Sequence, residues 1–170
     1  MRYNNAMLIQ EIGQATSSIL DIGKLLDTVA GLMEKRLDFD RGMIMMVDKK
    51  KAMLRYAAGY GQKLGEEEIF KRTEFHLDNP ESQGIFVVAI RDQRPFLVDN
   101  IGEIENTFSR RSLEIAKKVA GQALICVPII YETESLGIVA VDNSKSSRPL
   151  RQSDMSLLMG VASQLAISIN

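Results

Sequence analysis

Tryptophan is missing from the 170 residues, and cysteine and histidine occur once each. A lone cysteine, Cys126, can make no internal disulfide, and one cysteine with one histidine cannot assemble the usual zinc sites. A reducing, cytoplasmic setting fits that usage. An excess of charge is lacking too. The 21 Lys and Arg against 22 Asp and Glu leave a formal charge of −1. That balance offers no broad basic face for gripping DNA or RNA, and the runs "DKKK" (48–51) and "SRR" (109–111) read as solvated turns or helix ends. No apolar run approaches the ~20 residues of a membrane helix. The opening "MRYNNAMLIQEIGQ" has neither the apolar core nor the cleavage site of a secretory signal. What remains is an ordinary soluble composition, 45% hydrophobic and 25% charged, in a length that suits one domain.

Periodicity supplies the elements. Leu8, Ile12, Ala15, Ile19, Ile22, Leu26, Val29 and Met33 recur every three or four residues, the spacing of an apolar helix stripe. "LDIGK" interrupts it, with Asp21 suited to an N-cap and Gly23 costly inside a helix. Two helices are expected, about 5–20 and 22–37. "RGMIMMVD" (41–48) and "KAMLRYAAGY" (51–60) read as an antiparallel hairpin. "GEEEIFKR" (65–72) allows helical Glu67–Lys71 and Glu68–Arg72 pairs, and "TEFHL" (73–77) alternates as a short strand does. Asn79-Pro80 opens an expected helix over 81–93, "RPFLVDN" (94–100) reads as a strand and turn, and "SRRSLEIAKKVA" (109–120) as a helix capped by Gly121. "QALICVPIIY" and "SLGIVAVDN" form a second hairpin around "ETE". Their unbroken hydrophobicity predicts a sheet covered on both faces. The last segment reads as a helix capped by Ser153, with Leu158, Val161, Leu165 and Ile169 on one face. That helix is still apolar at Ile169, so the chain is expected to be a piece of a longer protein. Strands with helices on both sides make an α+β domain.

In that order the pieces resemble a GAF domain, the small-ligand sensor module of signalling proteins. "LLDTVAGLMEKRLDFDRGMIMMVD" is similar to the family's opening helix, Asp-Arg and first strand. "RYAAGYG" resembles its second strand and glycine turn, and "RPFLVDN" its short strand between Pro and Asp. In "ALICVPIIYETESLGIVAVDN" the Val127-Pro128 pair, the turn and Leu136-Gly137 resemble the family's most recognisable hairpin. "RQSDMSLLMGVASQLAISI" resembles its closing helix. The resemblance implies a central antiparallel sheet of five to six strands, terminal helices on one face, and short helices and loops over a pocket on the other. It divides the chain into a linker helix (1–20) and the domain proper (21–170). It further implies a homodimer through the terminal helices, an unidentified small molecule as partner, and catalysis left to an attached output domain such as a histidine kinase, a nucleotide cyclase or a transcriptional activator; the charge balance and short apolar runs add the expectation of no nucleic acid or membrane contact.

The residues that could carry chemistry each have a plainer reading. A reactive thiol needs a nearby cation or helix N-terminus and exposure, whereas Cys126 sits among Ile125, Val127 and Pro128, where a cysteine packs as a small hydrophobe. Bilin-binding relatives attach their chromophore through a cysteine beside a histidine, and relatives that reduce free methionine sulfoxide use several cysteines; neither pattern is present. One axial histidine suffices for haem, yet His76 equally suits a hydrogen bond to a ligand or a solvated surface. The Asn-Lys-Phe-Asp-Glu run of cyclic-nucleotide-binding relatives is missing, and "GYGQKLG" (59–65) lacks the helix start of a phosphate loop. "EEE" (66–68) and "ETE" (132–134) lie on a helix face and a turn, not in an apolar pocket that tunes a general acid. Asp142-Asn143 is expected to end the sheet by bonding loop backbone. Met43, Met45, Met46 and Met53 gather in the first hairpin as adaptable filler or as the lining of an apolar pocket. The expected pocket draws on Met45, Phe75, His76, Phe86, Ile90 and Phe108. Two rivals stand beside the sensor: a dimerisation module whose pocket has closed with side chains, and a Cys126-based redox sensor or enzyme.

Overall fold

The computed structural model describes residues 5–19, 21–48, 50, 52–62, 71, 74–77, 84–98, 123–143 and 148–169. Asn5–Thr16 (α1) and Ile22–Arg36 (α2) lead into strands Arg41–Asp48 (β1), Met53–Tyr60 (β2) and Glu74–His76 (β3). Helix Ile85–Asp92 (α3) follows, then strands Phe96–Val98 (β4), Leu124–Tyr131 (β5) and Glu134–Asp142 (β6), and helix Gln152–Ile169 (α4). The six strands form one sheet in the order β3-β2-β1-β6-β5-β4, antiparallel throughout. The two hairpins foreseen from sequence are β1–β2 and β5–β6. The β1–β6 pairing joins them at the centre.

Alternation along the strands builds two cores from one sheet. On β5, Ile125, Val127 and Ile129 join a cluster with α1, α2 and α4, while Leu124 and Cys126 join a second cluster on the opposite face. On β6, Val139 and Val141 go to the first cluster, and Ile138 and Ala140 to the second. Every one of these side chains is buried, which is why the sequence shows no polar alternation here. In β2 a bulge resets the alternation. Ile44 faces Ala58 and Met45 faces Tyr56, so Ala57 is the extra residue. Leu54 and Tyr56 consequently face the second cluster, and Ala58 and Tyr60 the first.

The helices end for local reasons. Asp21 caps α2 as expected, its carboxylate accepting from the Lys24 amide at 3.0 Å, but α1 ends at Thr16, short of the expected 20, so the break begins ahead of "LDIGK". Three further expectations shift. Gly84 is extended (φ −63°, ψ 138°) and precedes α3, so the helix begins at Ile85 and does not run through 81–93. Ser153 lies inside the first turn of α4; the cap is Arg151, whose carbonyl accepts from the Asp154 and Met155 amides. The second hairpin turns on Glu132 and Thr133 alone, with Glu132 left-handed (φ 56°) and Glu134 already in β6. The expected Glu67–Lys71 and Glu68–Arg72 pairs, the Asn79-Pro80 helix start and the 109–120 helix with its Gly121 cap lie outside the described residues.

Helices α1 and α4 run parallel. Ile9 packs on Gly160, Gly13 on Gln164, and the Thr16 and Ser168 hydroxyls bond at 2.9 Å. Small residues at 13 and 160 allow this approach, and both helices end at the same side of the domain. Among the described residues, no helix is long and apolar enough to cross a membrane.

Candidate functional site

The sheet face opposite α1, α2 and α4 is roofed by α3. Met45 on β1, Phe75 on β3, and Phe86 and Ile90 on α3 meet there in one buried cluster with Met43, Leu54 and Cys126. The Phe75 and Phe86 rings stand edge to face, 5.4 Å between centroids at 80°, a favoured aromatic geometry. Four of the six expected pocket residues are thus together. His76, next to Phe75 on β3, is exposed, as alternation along a short edge strand dictates. Phe108 lies outside the described residues.

Cys126 is wholly enclosed beside Phe96 and Ala140. Burial alone pushes its thiol well above the ordinary range, the opposite of what a nucleophile needs. Among the described residues, no group of three or more His, Cys, Asp or Glu is placed to hold a metal ion.

The polar element of this face is an ion pair. Arg41 opens β1 and Asp142 closes β6, and the two stand directly opposite in the register. The Arg41 Nε donates to both Asp142 carboxylate oxygens at 3.1 and 2.9 Å, and Nη2 reaches Oδ2 at 2.8 Å. Both side chains are at most 6% exposed. A cation and an anion removed from water are tolerated together because each satisfies the other with good geometry. They border a cavity of about 10 Å³, enough for roughly one water, lined also by Gly42, Phe86, Leu124 and Ala140. Across the sheet the Tyr60 ring covers Gly42, where a Cβ would strike it. The Tyr60 hydroxyl is buried and, among the described residues, has no hydrogen-bond partner. Burial raises its pKa, with Glu34, Asp142 and Asp40 adding to the effect.

Asp142-Asn143 therefore divides its work. Asn143 ends the sheet as expected: its Oδ1 accepts from the Asp40 amide at 3.0 Å and its Nδ2 donates to the Arg148 carbonyl at 3.3 Å. Asp142 instead holds Arg41, a pairing the sequence reading missed. The available signal was two opposite charges, each at the end of an otherwise apolar strand.

A family model described as GAF domain matches residues 20–170. The chain belongs to the GAF family. No curated protein matches it. Solved structures do, at the level of fold. The GAF domain of an Acinetobacter phosphoenolpyruvate-protein phosphotransferase is 17% identical, with a TM-score of 0.76 over 99% of this chain and 94% of that one. A methyl-accepting chemotaxis protein segment is 20% identical, with a TM-score of 0.75 over 93% and 94%. The free methionine-R-sulfoxide reductase of Neisseria meningitidis, solved with its substrate, is 14% identical, with a TM-score of 0.74 over 97% and 87%. Among the described residues, a six-stranded antiparallel sheet with four helices is the fold in which this chain matches these structures. The GAF domain is a regulatory or sensory module found in signalling proteins, and this chain is one by membership.

Proposed function

We propose that this GAF domain is a non-catalytic sensor of a bacterial-type signal-transduction protein in the cytoplasm. It takes a small molecule on the sheet face under α3 and relays occupancy through α1 and α4 to an output domain. The observation that carries this reading is the division of one sheet between two cores. The strands that floor the face under α3 also carry, on their reverse side, the parallel terminal helices. A ligand that shifts those strands has a direct mechanical hold on α1 and α4. The enclosed Cys126 supports a module without thiol chemistry. The outer face of α4 carries Ser156, Met159, Ser163 and Ile167, all exposed and none charged, which suits a second copy packed along the terminal helices. The near-neutral net charge suits neither nucleic acid nor a membrane surface.

One observation favours a second reading, a ligand-free dimerisation module. Among the described residues, Met45, Phe75, Phe86 and Ile90 are buried in one cluster, and the cavity beside Phe86, about 10 Å³, is far below the roughly 300–1,000 Å³ of ligand pockets. Screening the purified protein against soluble metabolites by ligand-observed NMR separates the two. A binder lost in Phe86→Ala supports the sensor. No binder, with a dimer of concentration-dependent stability in sedimentation, supports the second reading.

A further inference from the structure

The ion pair on the face under α3 is the first link of a polar chain that ends at α4. We propose that Arg41, Asp142, Asn143, Arg148 and Asp154 form a relay coupling the cavity floor to the first turn of α4, with Arg148 as its joint.

Each link is a direct contact. Arg41 and Asp142 border the cavity and hold each other. The Asp40 amide bonds both the Asp142 carbonyl at 3.0 Å and the Asn143 side chain at 3.0 Å, so the entry of β1 and the exit of β6 move as one. Asn143 then grips the Arg148 carbonyl. The Arg148 guanidinium reaches in two directions. It donates to the Asp38 carbonyl from Nε and Nη2, at 3.3 and 3.1 Å, and to the Asp154 carboxylate from Nη1 at 3.3 and 3.5 Å. It also lies over the Phe39 ring at 5.3 Å, a cation–π contact that restrains its plane. Asp154, 2% exposed, accepts the Arg151 amide at 2.9 Å. This is the reach-back half of a capping box, which fixes where α4 begins.

Chemistry explains why a relay would use such groups. Apolar contacts between α4 and β5 tolerate sliding, whereas charge-assisted hydrogen bonds have discrete geometries that are kept or broken. Coupling along contiguous contacts must nevertheless be measured as coupling. The relay rests on the sensory reading for its purpose, but its existence does not require a ligand. The test below uses none, so its failure would leave that reading intact, and a failed metabolite screen would leave the relay intact.

Amide hydrogen exchange is compared in wild type, Asp142→Asn, Arg148→Gln and the double variant, reading residues 155–159 of α4 against residues 125–129 of β5. The relay predicts that Asp142→Asn speeds exchange at 155–159 about tenfold while 125–129 stays protected. Arg148→Gln alone speeds 155–159, and adding Asp142→Asn to it changes that segment less than twofold. Unchanged α4 exchange in Asp142→Asn overturns the relay, as does the same fold-increase from Asp142→Asn in both backgrounds. Should Asp142→Asn fail to fold, Arg41→Lys disturbs the pair more gently and is read by the same criteria. A parallel rise of both segments in the foldable variants means the pair supports the whole fold and not α4 in particular, and also overturns the proposal.

Discussion

The two faces of the sheet are equally buried and differently built. The α1/α2/α4 face is closed by three helices of 12, 15 and 18 residues, joined to the sheet mainly by aliphatic side chains, with Met33, Phe39 and Tyr60 in the same cluster. The opposite face is closed, among the described residues, by the eight-residue α3, and it encloses an aromatic pair, methionines, a cysteine and an ion pair. Strand alternation makes both faces from the same β1, β5 and β6. One face is thus built from long helices, and the other from a short helix with aromatic, sulfur and charged side chains.

The largest expected effect breaks the second face. Phe86 is 1% exposed and touches both the ring of Phe75 and the cavity, so Phe86→Ala should cost about 3–5 kcal/mol in urea unfolding. Leu165→Ala, at a wholly buried position of the helix face, should cost about 2–5 kcal/mol. The comparison is sharpened by what each variant gains. The Phe86 variant enlarges an existing cavity and should take up xenon or benzene, recovering stability in their presence; the Leu165 variant removes a smaller side chain, opens less space and should recover less.

How far these faces were legible follows from the range of their interactions. The helix face could be read from sequence because its signals are local: the stripe from Leu8 to Met33, in which Ile22 proves exposed, the Asp21 cap and the row Leu158, Val161 and Leu165 all lie within a few turns. The hairpins were legible for the same reason. The Arg41–Asp142 pair was not, because it joins the ends of strands 101 residues apart through a register that only the closed sheet defines. Ala57 shows a second limit. One extra residue in β2 moves Tyr60 to the opposite face from Tyr56, and nothing in "KAMLRYAAGY" marks where it falls. Asp154 is a third case: Ser153 is the better cap by residue type, but the carboxylate one residue later is the group that Arg148 holds.

A smaller effect tests the burial of the thiol. The folded protein keeps Cys126 protonated above the pH at which an unfolded cysteine ionises, about 8.5. Below that pH both states hold the proton, and the stability due to the neutral thiol is fully present. Above it the unfolded chain alone releases the proton, so stability falls by about 1.4 kcal/mol per pH unit until the folded thiol also ionises. Tyr60, raised in the same direction, should add its own loss above about pH 10. Urea unfolding of wild type and Cys126→Ala between pH 7 and 10 should therefore diverge from about pH 8.5 upward, with the variant flatter. Parallel curves would mean that Cys126 is accessible to water.

The central claim, that the face under α3 receives a small molecule and the terminal helices report it, is tested most directly by exchange mapping. The protein is compared with and without a metabolite found to bind it. The account predicts new protection at α3, β3 and the Met43–Met45 segment of β1, together with altered exchange in the first turn of α4. Protection confined to the outer surfaces of α1 and α4, with α3 and the sheet unchanged, would contradict it.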